Sequence, residues 1–147
     1  MNDTSQHTSQ PMSPRTALLT GLWLLAFSLP LGLTLEALHA MKVQVYLGSA
    51  TRREMWTLAH AHGNLLGILC LVISALGPRL ANDLDRRRRH EKLLSIGAVL
   101  MPLGFLLGGV LNSEGDPSLG ILLVPVGGVL VFVALVLVSR SAVAKPD

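Results

Sequence analysis

The sequence predicts an all-α fold: a polytopic membrane protein whose four spans form an antiparallel four-helix transmembrane bundle. Half of the 147 residues are hydrophobic and only 14% are charged, with a mean hydropathy of +0.53. The charges stand in short clusters between apolar runs of roughly the ~20 residues a spanning helix needs. A soluble bundle would spread charge along one face of every helix instead. The spans are residues 17–41, 56–76, 93–111 and 119–138, and the last two contain no ionisable residue. Residues 14–139 therefore form one membrane domain, between a polar, disordered tail of residues 1–13 and a short tail of residues 140–147.

The first span has the start of a spanning helix. Ser13-Pro14 offers an N-cap followed by proline at the first helical position. A cleaved signal peptide fits poorly: the apolar stretch is too long, and Glu36 and His39 lie where small residues would be wanted. Pro30 removes one backbone hydrogen bond and should bend this helix. For the second, Thr51-Arg52-Arg53-Glu54 matches a capping box and Gly77-Pro78 marks an end. Trp56 and Tyr46 are expected at the membrane–water boundary. Asp116-Pro117 repeats the cap-and-proline signal before the fourth span.

The connections differ in character. Residues 42–50 alternate through Val43-Gln44-Val45-Tyr46-Leu47, as a short lid over one end of the bundle would. Residues 78–91 read as a strongly basic loop in which His90 is solvated, and residues 112–118 as a tight acidic turn. Nine of the twelve basic residues (Arg15, Arg79, Arg86 to Arg89, Lys92, Arg140 and Lys145) fall on one side of a four-span topology. The positive-inside rule puts that side, with both termini, in the cytoplasm of a bacterial inner membrane. Topology and anionic headgroups explain the arginine run better than a nucleic-acid patch does.

At about 100° per residue, the helix faces can be sorted. Gly21, Ser28, Gly32, Glu36 and His39 share a face of the first helix; His60, Gly63, Asn64 and Gly67 share one of the second. Gly97, Met101, Gly104, Gly108 and Asn112 line the third, and Gly120, Gly127 and Ala134 the fourth. Small residues let helices approach closely in lipid, so these are packing faces. Cys70, alone and mid-span, reads as a small buried hydrophobe.

Ionisable groups inside a membrane are costly and face a bundle interior or a hydrated cavity. Glu36 lies five residues before Met41 and His60 four after Trp56, so both should sit about 6–8 Å below the outer boundary. Glu36 and His39 form a Glu-x-x-His pair, a spacing used for carboxylate-bridged metal sites in bundles. A di-iron centre needs more carboxylates than the chain offers, whereas Glu36, His39 and His60 suit one transition-metal ion. His60 and His62, two residues apart, point to opposite helix faces.

The run Ala59-His60-Ala61-His62-Gly63-Asn64-Leu65-Leu66-Gly67 resembles the His-x-His helix of catalytic subunits in the haem–copper oxidase and nitric oxide reductase superfamily. In those proteins the two histidines ligate two haems on opposite faces. The resemblance covers nine residues and implies haem binding at His60 and His62, with His39 the available second axial ligand. As a whole the chain looks like the small four-helix membrane proteins of bacteria.

Three functions of different classes follow. The first is binding of a transition metal or haem at Glu36, His39, His60 and His62. The second is a proton-coupled small-solute carrier in which Glu36 and His60 titrate. The third is an accessory subunit, in a homo-oligomer or larger membrane complex, whose polar knot only joins helices, with Glu36 paired to Lys42, Arg52 or a histidine. No hydrolase constellation or phosphate loop is present in the sequence, which argues against an enzyme.

Overall fold

A computed structural model describes residues 15–80, 83–110, 112 and 115–144. Helix α1 runs over Thr16–Ala40, α2 over Gln44–Leu47, α3 over Ala50–Leu80 and α4 over Leu84–Val110. A 3-10 turn, Leu119–Leu122, leads into α5, Leu123–Val143. The fold is all-α, and α1, α3, α4 and the unit of turn plus α5 are long and apolar enough to cross a membrane. The Ser13-Pro14 cap and the tail of residues 1–13 lie outside the described residues.

The helices are not equivalent. α4 packs against α3 and α5 and also touches α1, whereas α1 and α5 do not meet. Half of the spanning window of α4 is buried, against 17% for α1 and for the last helix. α4 is thus the axis of the bundle, and the outer faces of α1 and α5 present Leu22, Phe27, Leu33, Val129 and Phe132 outward. In lipid those faces need no protein partner, because acyl chains are as apolar as leucine.

The small residues sit where the sequence put them. A Cβ on Gly21 would stand 2.7 Å from the carbonyl oxygen of Gly67, and one on Gly97 would stand 2.7 Å from that of Gly127. These contacts set the α1–α3 and α4–α5 separations. Ala17, Cys70, Ala98 and Ala134 are fully buried in the core between them.

The helix ends depart from expectation in four places. The cap of α3 is Ser49, whose Oγ accepts from the Arg52 backbone N–H at 3.2 Å, so the helix begins before the capping box read at residues 51–54. Gly77-Pro78 does not end α3, which continues to Leu80. Proline at 78 leaves the Ser74 carbonyl without its usual donor, and the guanidinium of Arg87 supplies one at 3.1 Å. The basic stretch is not a loop, because Arg86 to Arg89 belong to the first turns of α4. Asp116-Pro117 does not cap the last helix; Ser118 stands at the N-cap of the 3-10 turn that leads into it, with its hydroxyl given to Leu107 O at 2.7 Å.

The last carbonyls of α4 would otherwise lack donors. Leu107 and Gly108 are served by Ser118, through its hydroxyl and its backbone N–H. Gly109 accepts from Arg52 Nε at 3.0 Å. One arginine from α3 and one serine before α5 therefore finish a helix that belongs to neither.

Candidate site at the end of the bundle that carries α2

α1 ends in a turn that aims the chain back over the bundle. The Val43 N–H donates to Leu38 O at 3.0 Å and the Lys42 N–H to His39 O at 3.1 Å. That is a Schellman cap, with Lys42 in the left-handed region at φ 53°. The segment expected to alternate as a short lid is a single helical turn, α2. Its Tyr46 is buried and stacks on Trp56 with centroids 6.1 Å apart.

Beneath this turn lies a cavity of about 540 Å³. Its walls are apolar (Leu29, Leu33 and Leu35), and its polar groups are Glu36, Tyr46, Thr57 and His60. Two residues singled out by matched depth, Glu36 on α1 and His60 on α3, thus line one space. Glu36 is exposed and enters none of the ion pairs among the described residues. The pairing considered with Arg52 does not occur, because Arg52 is committed elsewhere. Its guanidinium donates to Gly109 O, Val45 O and Asn112 Oδ1, and lies 5.8 Å from the Trp56 ring centroid.

His60 is tied to α1 through Nδ1, which lies 2.7 Å from the carbonyl oxygen of Ser28; that oxygen can only accept, so Nδ1 donates. The Asn64 side-chain nitrogen, one turn further along α3, lies 3.3 Å from Nδ1 and 3.2 Å from Nε2, so it stands across the ring rather than on the lone-pair axis of Nε2. The Asn64 Oδ1 atom is buried with no hydrogen-bond partner among the described residues.

The remaining candidates stand apart. His62 points the other way, its ring 4.8 Å from that of Phe105 on α4 and its Nδ1 2.9 Å from Leu58 O. It is not among the residues lining the cavity. His39 is exposed in the last turn of α1 and does not line it either. Among the described residues, no three histidine, cysteine or carboxylate side chains are grouped so that they could hold a metal ion.

A second polar cluster, not read from the sequence, closes the opposite end. Arg87 and Glu91 are buried, with side chains 7% and 1% exposed, and Nε lies 2.9 Å from Oε1. The second carboxylate oxygen accepts from the Ala17 N–H at 3.4 Å, in the first turn of α1. Together with Arg87 on Ser74 O, this joins α1, α3 and α4 through one ion pair. His90, expected in solvent, is 9% exposed beside them. The i, i+4 spacing of Arg87 and Glu91 was the available signal, obscured by the four consecutive arginines.

Comparison with protein-family models, with curated proteins and with solved structures gave no match.

Proposed function

We propose that this chain binds a small, membrane-partitioning solute in the cavity between α1 and α3 and exchanges a proton with it. His60 and Glu36 are the exchanging groups. One observation carries the reading: a carboxylate with no ion-pair partner among the described residues and an imidazole tied through Nδ1 to the Ser28 carbonyl line the same largely apolar space. Leucine walls favour an apolar body, and the four polar groups at one end favour a hydrogen-bonding head. Exposed Leu29 and Leu33 on the rim suit entry from the lipid side. The bias of nine basic residues supports a bacterial inner membrane with both termini cytoplasmic, which places this cavity near the outer face. Strong periplasmic activity from a reporter fused after Asp147 would contradict that orientation.

Tyr46 lines the cavity and stacks on Trp56, so the protein has a reporter built in. With Trp23 replaced by phenylalanine, Trp56 is the one tryptophan left. Its emission in nanodiscs should change with pH as the cavity groups exchange a proton. Glu36→Gln and His60→Gln should each abolish the change. A pH response that survives both substitutions would defeat the proposal.

Ligation of a metal or haem at His60 is the second reading. It is favoured by the tie between Nδ1 and the Ser28 carbonyl, since ligating histidines commonly give their other N–H to such a group. Glu36 is the carboxylate nearest in role, and His39 and His62 would have to be supplied from a second copy or a different arrangement. A visible absorption spectrum and elemental analysis of gently purified protein decide between the readings. A colourless, metal-free preparation from replete cells removes this one and leaves the first intact.

A further inference from the structure

The basic end of the bundle carries a cleft of about 360 Å³, separate from the cavity under α2. It opens between the first turns of α4 and the last turns of α5. Arg86 and His90 come from α4, and Leu137, Arg140, Ser141 and Ala144 from α5. No carboxylate among the described residues lines it. The acids nearby are committed: Asp83 to Arg86 at 3.3 Å, Asp85 to Arg88 at 4.0 Å, and Glu91 to Arg87. Arg140 enters none of the ion pairs or side-chain hydrogen bonds among the described residues.

Two arginines on different helices, a serine hydroxyl and an imidazole surround one concavity; Arg86 gives Nε to Asp83, and Arg140 enters no ion pair among the described residues. Guanidinium forks match the oxygens of a phosphate. We infer that this cleft holds the phosphate group of an anionic phospholipid, clamped between Arg86 and Arg140. The cleft lies where α5 passes from an apolar span into charge. Below it, exposed Val133 and Val136 on α5 leave a lipid-facing surface along which acyl chains can lie. A free phosphate would use the two arginines but not that surface. Basic pockets at the ends of membrane helices recognise headgroups in this way.

The test measures the thermal midpoint of the whole protein in mild detergent against three probes: phosphatidylglycerol, phosphatidylcholine and inorganic phosphate. Phosphatidylglycerol should raise the midpoint in a saturable way, and the other two should not. Arg140→Gln and Arg86→Gln should each weaken the apparent affinity about fivefold, the worth of one basic side chain near an anionic surface. Both are exposed, so neither substitution should unfold the chain. Arg88→Gln removes an exposed charge outside the cleft and should leave affinity unchanged. An equal loss from Arg88→Gln would show general charge attraction and overturn the site. An equal midpoint shift with inorganic phosphate would overturn the lipid assignment.

Discussion

The imidazole of His60 lies against α1 at Gly32, in the space a side chain at that position would fill. A Cβ on Gly32 would stand 2.7 Å from Nδ1, the atom that reaches the Ser28 carbonyl. The glycine thus sets where the ring rests.

Gly32→Ala should therefore push the ring off its carbonyl. Overpacking of this kind costs about 1–3 kcal/mol, less where the neighbour can rotate away. Gly128→Ala is the control, since its nearest heavy atom would be Met101 Sδ at 3.9 Å. It should be neutral or stabilising by up to ~1 kcal/mol, the helix-propensity difference. Thermal unfolding of both variants in one detergent gives the comparison, and the Trp56 pH response should be lost only in the first.

Glu36 and His60 should be coupled. If they share a proton across the cavity, Glu36→Gln and His60→Gln should each reduce stability or binding, and the double variant should cost less than their sum. Pairs in one network differ from additivity by about 0.5–3 kcal/mol, and exposed Glu36 puts this pair at the low end. His62→Gln, facing Phe105, should add to Glu36→Gln within error. Strict additivity for Glu36 with His60 would show that they act separately.

The ion pair at the other end carries more. Glu91→Gln leaves Arg87 charged, buried and short of its partner, so the loss should be about 3–5 kcal/mol. Replacing both residues with methionine removes the unpaired charge and should recover part of that loss, although Ser74 O then loses its donor. Urea or thermal unfolding of the two variants measures the difference. A double variant worse than Glu91→Gln would mean that the Ser74 contact outweighs the ion pair.

Lys42 holds a left-handed backbone that glycine adopts without strain. Lys42→Gly should stabilise the protein by about 1 kcal/mol, as relief of the steric cost to a side chain there. A fall in stability would point to an interaction of the lysine side chain that outweighs the backbone.

The spans and their packing faces were legible because both follow from simple periodicities. Apolar length marks a crossing, and small residues at helical spacing mark a packing face: the faces bearing Gly21, Gly67, Gly97 and Gly127 were readable in this way, and the structure supplied which glycine meets which. The opposite directions of His60 and His62 followed from the same geometry. The helix ends were harder. Ser49, Pro78 and Ser118 each depend on a donor or acceptor brought from another part of the chain, and capping motifs describe only local partners.

What the sequence alone determined is how many helices are long and apolar enough to span, how far their apolar stretches run and which faces carry small or ionisable side chains. These are properties of each segment and of the lipid it must satisfy. Only the tertiary structure decided which polar groups meet. A carbonyl freed by Pro78 on α3 draws Arg87 of α4 into the interior, and Glu91 then follows because the buried guanidinium needs a counter-charge. At the other end, the Schellman turn folds Tyr46 over the space between Glu36 and His60. Neither arrangement can be read from one helix, since Ser74 of α3 and Ala17 of α1 hold the Arg87–Glu91 pair, and the space beside Glu36 is lined by Tyr46 and His60 from other helices.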